Sequence, residues 1–319
     1  MTTVTMPSTT TSGGGRLADL VWLTLRQHRG ELIGISAWYV LLSGYLFLDA
    51  HPAEYLGLPN VLVWATPLVA GLLLGAPSVA REYEQRTHLL VWSQDVGVGR
   101  WLLAKVAVLA AVQVPLAVLL GLAGQTEVTR ATRTALFGDL PAGPYGFFGF
   151  DGSVLIQLGY SMFALALGVA AGVLLRRTAA AAVVTAAVFL LVRVLIADYL
   201  RTFLIDRLIT PARMTWSGKS IDMVFRGMAN LPLGAHWTFF GLLYANGTEA
   251  NLGVACDQVS TTPGYADCLR RNGITSSYID YQPVSRLPVF HGIELAIYLV
   301  LAAALVVIAY RRLRRRTVI

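Results

Sequence analysis

Val154–Leu175 reads VLIQLGYSMFALALGVAAGVLL, 22 residues without a charge. Bilayer hydrocarbon is about 30 Å thick and an α-helix rises about 1.5 Å per residue, so roughly 20 apolar residues cross it. A strand of a membrane barrel would alternate apolar and polar positions over about ten residues. This stretch does not alternate, so it predicts a transmembrane helix. Five others meet the same criterion: Leu32–Leu48, Val61–Ala80, Trp101–Ala123, Ala179–Ala197 and Leu287–Tyr310.

Composition agrees. Apolar residues fill 55% of 319 positions, charged residues only 13%, and the mean hydropathy is +0.61. A soluble domain carries about 25% charged residues. The reading is an all-α integral membrane protein with six transmembrane helices, an N-terminal interfacial helix, and a small external region between helices 5 and 6. Along the chain this gives a disordered tail (1–15), an interfacial helix (16–30), helices 1–5 (31–199) with a cytoplasmic segment at 81–100, an extracellular region (200–286), and helix 6 with a basic tail (287–319). The tail is rich in Thr, Ser and Gly and lacks the basic start and apolar core of a signal peptide. In the interfacial helix, Arg16, Asp19, Arg26 and Gln27 share one face; a cytoplasmic extension of the first span is the alternative.

The net charge of +7 follows from orientation and is not a nucleic-acid signal. With the amino terminus in the cytoplasm, the shorter internal segments hold 14 of the 25 basic residues, among them Arg81, Arg86, Lys105, Arg176, Arg177 and the Arg311–Arg316 cluster. This asymmetry fits the positive-inside rule with both termini cytoplasmic. Cys256 and Cys268 both fall in the last external segment, where an oxidising exterior permits a disulfide. Two reduced thiols are the alternative.

Catalytic signatures are missing. There is no His-Glu-x-x-His, no Gly-x-Ser-x-Gly and no His/Cys cluster at metal spacing. Ser217-Gly218-Lys219-Ser220 resembles the end of a phosphate-binding loop, but Arg213 stands where that loop needs its first glycine. Catalytic and metal residues are therefore none.

Two constellations remain. Arg193 and Glu294 are full charges set within predicted spans, where charge is costly and faces a partner or a water-filled cavity. Both lie roughly 10 Å from the outer end of their helices at 1.5 Å per residue, so they are expected to pair, either locking two helices or gating an outer exit. His291 and Asp198 lie nearer the surface and could join them. The second constellation is Arg81-Glu82-Tyr83-Glu84-Gln85-Arg86-Thr87-His88, between helices 2 and 3. It is either a solvated loop or a short charged helix able to transmit a push.

Gly75-Ala76-Pro77-Ser78-Val79-Ala80 leading into that charged stretch, then Trp92-Ser93-Gln94 and Arg100-Trp101-Leu102-Leu103-Ala104-Lys105, resembles the permeases of ABC-type-2 exporters, most closely the actinobacterial branch. Tyr281-Gln282-Pro283-x-x-Arg286, with Glu294 following, is similar to that branch's motif before its final helix. The order of elements agrees over nearly the whole chain. Arg86 departs from the pattern: the family places Gly before the Thr, and its loss is expected to let the helix run further.

The resemblance implies a membrane-spanning permease subunit of an ATP-driven exporter, in a bacterial cytoplasmic membrane. Cytoplasmic ABC ATPase subunits would bind ATP and Mg, and a second permease subunit, identical or paralogous, would complete the pore. Glu82, Tyr83, Glu84, Gln85, Arg86 and Thr87 would couple to the ATPase. Reversing Glu82 and Glu84 together should then uncouple hydrolysis from transport without removing the protein from the membrane. A secondary transporter is the rival reading, though inverted repeats and broken helices are not evident. An intramembrane enzyme is a weaker one.

Overall fold

The computed structural model describes residues 13–48, 58–86, 97–134, 144–205, 209–217, 231–250 and 262–315. Positions 1–12, Thr87 and Cys256 lie outside the described residues, so the Cys256–Cys268 bridge and most of the expected tail (1–15) do too; Gly13, Gly14 and Gly15, expected in that tail, form the start of a helix. The chain is a mostly helical integral membrane protein, and among the described residues six helical stretches are long and apolar enough to cross a bilayer: Arg29–Leu48, Val61–Glu84, Val98–Arg130, Val154–Leu175, Thr178–Arg201 and Val284–Arg314. They are called spans 1 to 6.

Helix α1 (Gly13–Gln27) ends at a single turn residue, His28, and α2 (Arg29–Leu48) forms span 1. Span 2 is α3 (Leu58–Ala70), a π-helical turn (Gly71–Gly75) and α4 (Ala76–Glu84). Pro77 explains the wide turn before it. Proline has no N–H to donate to the preceding turn and its ring crowds that turn's carbonyl, so the backbone opens locally.

Helix α5 (Val98–Thr134) has 37 residues, about 55 Å at 1.5 Å per residue. It outruns both the bilayer core and the expected end at Ala123. Two contacts hold the extension. Gly121 and Gly124 admit the backbone of the next segment, and a Cβ on Gly124 would lie 2.6 Å from the Gly152 carbonyl oxygen. Arg130 donates to the Phe47 carbonyl at 3.0 Å, satisfying an otherwise unpaired acceptor at the end of α2. The segment expected as an external loop, Gly124–Ser153, therefore splits into helix extension and a short fold-back helix, α6 (Phe147–Asp151).

Helix α7 (Val154–Leu175) is the hub. In its most apolar window 78% of residues are buried, against 22–56% for the other spans. Its Ser153 side chain caps the first turn by accepting from the Ile156 N–H. Gly168 and Gly172 face Gly75, Ala76 and Ala80 of span 2, and a Cβ on Gly168 would sit 2.6 Å from the Ala76 nitrogen. Gly71-x-x-x-Gly75 and Gly168-x-x-x-Gly172 thus meet each other, letting backbones approach closely. Arg176, in the left-handed conformation at φ 56°, and extended Arg177 make the tight turn into α8 (Thr178–Leu195). A second π-helical turn, Ile196–Arg201, carries span 5 onward.

Between spans 5 and 6 lies a four-stranded antiparallel sheet of order β1-β4-β2-β3: β1 (Ala212–Ser217), β2 (His236–Tyr244), β3 (Glu249–Ala250) and β4 (Ile274–Gln282). The run His236–Tyr244 is thus an inner strand, paired with β4 on one side and β3 on the other. The hairpin turns through Asn246-Gly247, where Gly247 takes φ +80°. Arg213 stands opposite Asp280 in the register and binds its carboxylate with two hydrogen bonds of 2.7 and 2.8 Å. Helix α9 (Thr262–Arg271) packs Cys268 and Leu269 against Leu242 and Ile274. Helix α10 (Leu287–Arg314) completes span 6.

Candidate functional site

A buried charged cluster occupies the end of the bundle nearest the sheet. Asp151 ends α6. Its Oδ2 accepts from Arg193 Nη2 at 2.5 Å and its Oδ1 from Arg201 Nη2 at 2.7 Å and the Tyr160 hydroxyl at 2.7 Å. Glu294 of α10 takes the other side of Arg201, at 2.9 and 3.0 Å. Arg193 also donates to the Trp64 carbonyl at 2.7 Å and lies over the Trp64 and Tyr160 rings, while Arg201 lies over Phe150. All four charged side chains are buried.

Two carboxylates and two guanidiniums cancel, and this is why an apolar bundle tolerates them. Burial works against ionisation of Asp151, but the two guanidiniums and the Tyr160 hydroxyl outweigh it and hold the carboxyl below its ordinary value. The cluster fastens spans 2, 4, 5 and 6 and the fold-back helix at one point.

The expected Arg193–Glu294 pair is therefore corrected. Both residues belong to the cluster, but Arg193 binds Asp151, and Arg201 bridges Asp151 to Glu294. Matching depth brought the two near each other, and two unrecognised residues came between them. Asp198 points away, exposed on the π turn. His291 reaches the cluster indirectly, its ring edge-on to Phe150 at 4.3 Å.

The Tyr281-Gln282-Pro283-x-x-Arg286 motif fastens this end to the sheet. Gln282 donates to the carbonyls of Ile205 and Ile209, just past span 5, at 2.8 and 2.7 Å. Arg286 donates to Thr210 O at 2.5 Å and Gln282 Oε1 at 3.1 Å. Tyr145 donates to Pro283 O. The motif is a clasp between spans 5 and 6.

At the opposite end, three side chains of α4 reach three other spans. Arg81 donates to Glu31 of span 1 at 2.5 Å. Glu82 is buried and paired with Lys105 of span 3, whose ammonium also donates to Ser78 O at 2.8 Å and faces the Trp101 ring. Glu84 accepts from the Thr178 N–H at 2.9 Å and hydroxyl at 2.8 Å. It thereby caps the first turn of α8, whose own N-cap residue Arg177 provides no side-chain bond. Tyr83 lies under the Arg176 guanidinium. Beside this group His28 is buried, with neither ring nitrogen hydrogen-bonded. Burial, then the Lys105 charge, lowers its pKa to about 4.

Two expectations change here. Glu82 is not an exposed handle: reversing it would bury two like charges together and destabilise the fold, so a Glu82/Glu84 reversal does not isolate coupling. Nor does the helix run past Arg86. It ends at Glu84, Gln85 donates to Arg81 O, and Arg86 adopts φ 57°, the left-handed conformation in which glycine normally ends a helix. Gln85 and Arg86 are exposed on this turn.

Among the described residues there is no group of three or more His, Cys, Asp or Glu side chains placed to hold a metal ion. Residues 46–201 match the family described as ABC-2 membrane transporter related, just under half of the chain. The matched stretch contains Glu82, Lys105, Asp151, Arg193 and Arg201, and stops short of Glu294. No curated protein matches the chain. With the six apolar helices, the match supports a membrane transporter permease.

Proposed function

We propose that this chain is the membrane-spanning permease subunit of an ATP-driven exporter, and that α4 and the turn after it receive the force of a separate ATPase. One observation carries the reading: within four residues, Arg81, Glu82 and Glu84 bind spans 1, 3 and 5. A displacement of the exposed turn at Gln85 and Arg86 would pull on four helices at once, since α4 is itself the end of span 2.

In this reading both termini are cytoplasmic in a bacterial plasma membrane, and α1 lies along the inner surface. ATP and Mg bind the partner, and a second permease subunit completes the path. The actinobacterial branch is the best fit to Tyr281-Gln282-Pro283-x-x-Arg286. The Asp151–Arg193–Arg201–Glu294 cluster is the pivot at the outer end, holding spans 2, 4, 5 and 6 together while their inner ends move.

The test uses the full chain extracted from its native membrane. An ATPase should co-purify in stoichiometric amount. Arg86→Glu, on the exposed turn, should release it with the unfolding temperature unchanged. A chain that purifies without an ATPase and moves solutes unaided in liposomes overturns the reading.

A further inference from the structure

A cavity of about 350 Å³ opens beside the charged cluster, between the extension of α5, the start of α10 and the base of the sheet. Its volume falls at the low end of small-molecule sites, about 300 to 1,000 Å³. Val128, Leu233, Val284 and Leu287 give it apolar walls, Gln125 and Thr129 stand at the α5 side, and none of its described lining residues carries a full charge. His291 lines it as well. That imidazole is 5% exposed, and its Nε2 has no hydrogen-bond partner. The ring is held in place edge-on to Phe150, which on its other contact carries the Arg201 guanidinium. Phe150 thus screens the charges of the cluster from the cavity.

A buried polar atom left unpaired costs about 1–3 kcal/mol, so the cavity favours an occupant that satisfies it. The apolar walls and lack of charge disfavour an ionic one, because an unpaired ion loses its hydration there. A hydroxyl donates and accepts, so it pairs with Nε2 in either imidazole tautomer.

We propose that this cavity is a binding site for an uncharged amphiphile bearing a hydroxyl, its oxygen on His291 and its hydrocarbon against Val128, Leu233, Val284 and Leu287. On the exporter reading, on which its transport role rests, the site is the last station of the cargo before release. Binding itself does not depend on that reading.

The purified full chain, without any ATPase, is irradiated with a diazirine derivative of 1-octanol, and adducts are mapped by mass spectrometry. Saturable labelling concentrated on residues 125–129 and 284–291, competed by plain 1-octanol, is the expected result. A diazirine octane of the same length should label the site about three- to tenfold less, the worth of one hydrogen bond. His291→Phe keeps the aromatic packing and should lower alkanol labelling to the alkane level. Leu287→Trp fills the cavity and should abolish saturable labelling at 125–129. Labelling spread over lipid-facing helix surfaces, or unchanged in both variants, overturns the proposal. Equal labelling by alkanol and alkane, which would leave His291 to water, overturns it too. Because no ATPase is present, such a failure stays separate from failure of the exporter reading, which the co-purification experiment detects.

Discussion

Arg193 binds Asp151 and makes no ion pair with Glu294, and thermodynamic cycles with Arg193→Met, Asp151→Asn and Glu294→Gln test that wiring. At 2.5 Å and an effective dielectric near 20, the gross Arg193–Asp151 attraction is about 7 kcal/mol. Desolvation offsets much of it, and measured couplings between contacting residues run about 0.5–3 kcal/mol. Breaking a buried pair by removing one partner costs about 3–5 kcal/mol. Arg193→Met and Asp151→Asn should each fall in that range, with Asp151→Asn the worse because it leaves Arg193 and Arg201 to share Glu294. The Arg193–Asp151 coupling should reach about 2–3 kcal/mol, the upper part of the observed range. The Arg193–Glu294 coupling should stay below about 1 kcal/mol, because Arg201 stands between them and already neutralises Glu294. Reversible unfolding in mixed SDS micelles supplies the free energies. If the Arg193–Glu294 coupling equals or exceeds the Arg193–Asp151 coupling, the assignment of partners is wrong.

Three further outcomes follow from the packing. Glu82→Gln alone leaves the Lys105 ammonium buried without its carboxylate and should cost about 3 kcal/mol in the same unfolding assay, whereas Glu82→Gln with Lys105→Met should recover most of the loss. Arg86→Gly should stabilise the chain by about 1 kcal/mol, since φ 57° strains any residue with a Cβ and glycine adopts it without cost; thermal unfolding in a fixed detergent would show it. His28 gives a pH dependence of known sign: its folded-state pKa of about 4 lies below the ordinary 6.5, so its contribution is complete above about pH 6.5 and declines as the pH falls toward 4. His28→Gln should flatten the unfolding temperature across that interval, and an unaltered slope would remove His28 as the cause.

Hydropathy and length made the six spans readable, because no soluble arrangement of Val154–Leu175 or its counterparts could bury so much apolar surface in one chain of this size. The charged ends were less readable, for different reasons. Asp151 sits in a Gly- and Phe-rich stretch that resembles a loop, and only the contacts of Gly121 and Gly124 with the Val154 and Gly152 backbone bring it inward. Arg201 follows the apolar run of span 5 and passes for an external residue. Lys105 was within reach: it lies inside the predicted third span, between Ala104 and Val106, where a lysine signals a buried partner. Glu82 shares its helical turn with exposed Arg81, and sequence spacing does not say which of them faces Lys105. From Phe239 to Tyr244 the run carries no charged or hydroxyl-aliphatic residue to mark an alternation, so no period separated strand from helix; its antiparallel partner, Ile274–Gln282, decides the matter from a distance of some thirty residues.

The π-helical turn at Ile196–Arg201 makes the position of a charge depend on counting. On a regular helix, residues 193 and 201 are eight steps apart and would diverge by about 80° after two full revolutions. The wider turn advances less per residue and brings the second guanidinium back toward the azimuth of the first, so one aspartate can hold both. Deleting a single residue from this segment would restore the ordinary pitch and leave the two arginines seven steps apart, about 20° short of two full revolutions and still on one face. The π turn thus absorbs one residue that a regular helix on this face has no room for, and the loss of one residue there is milder than the loss of either arginine.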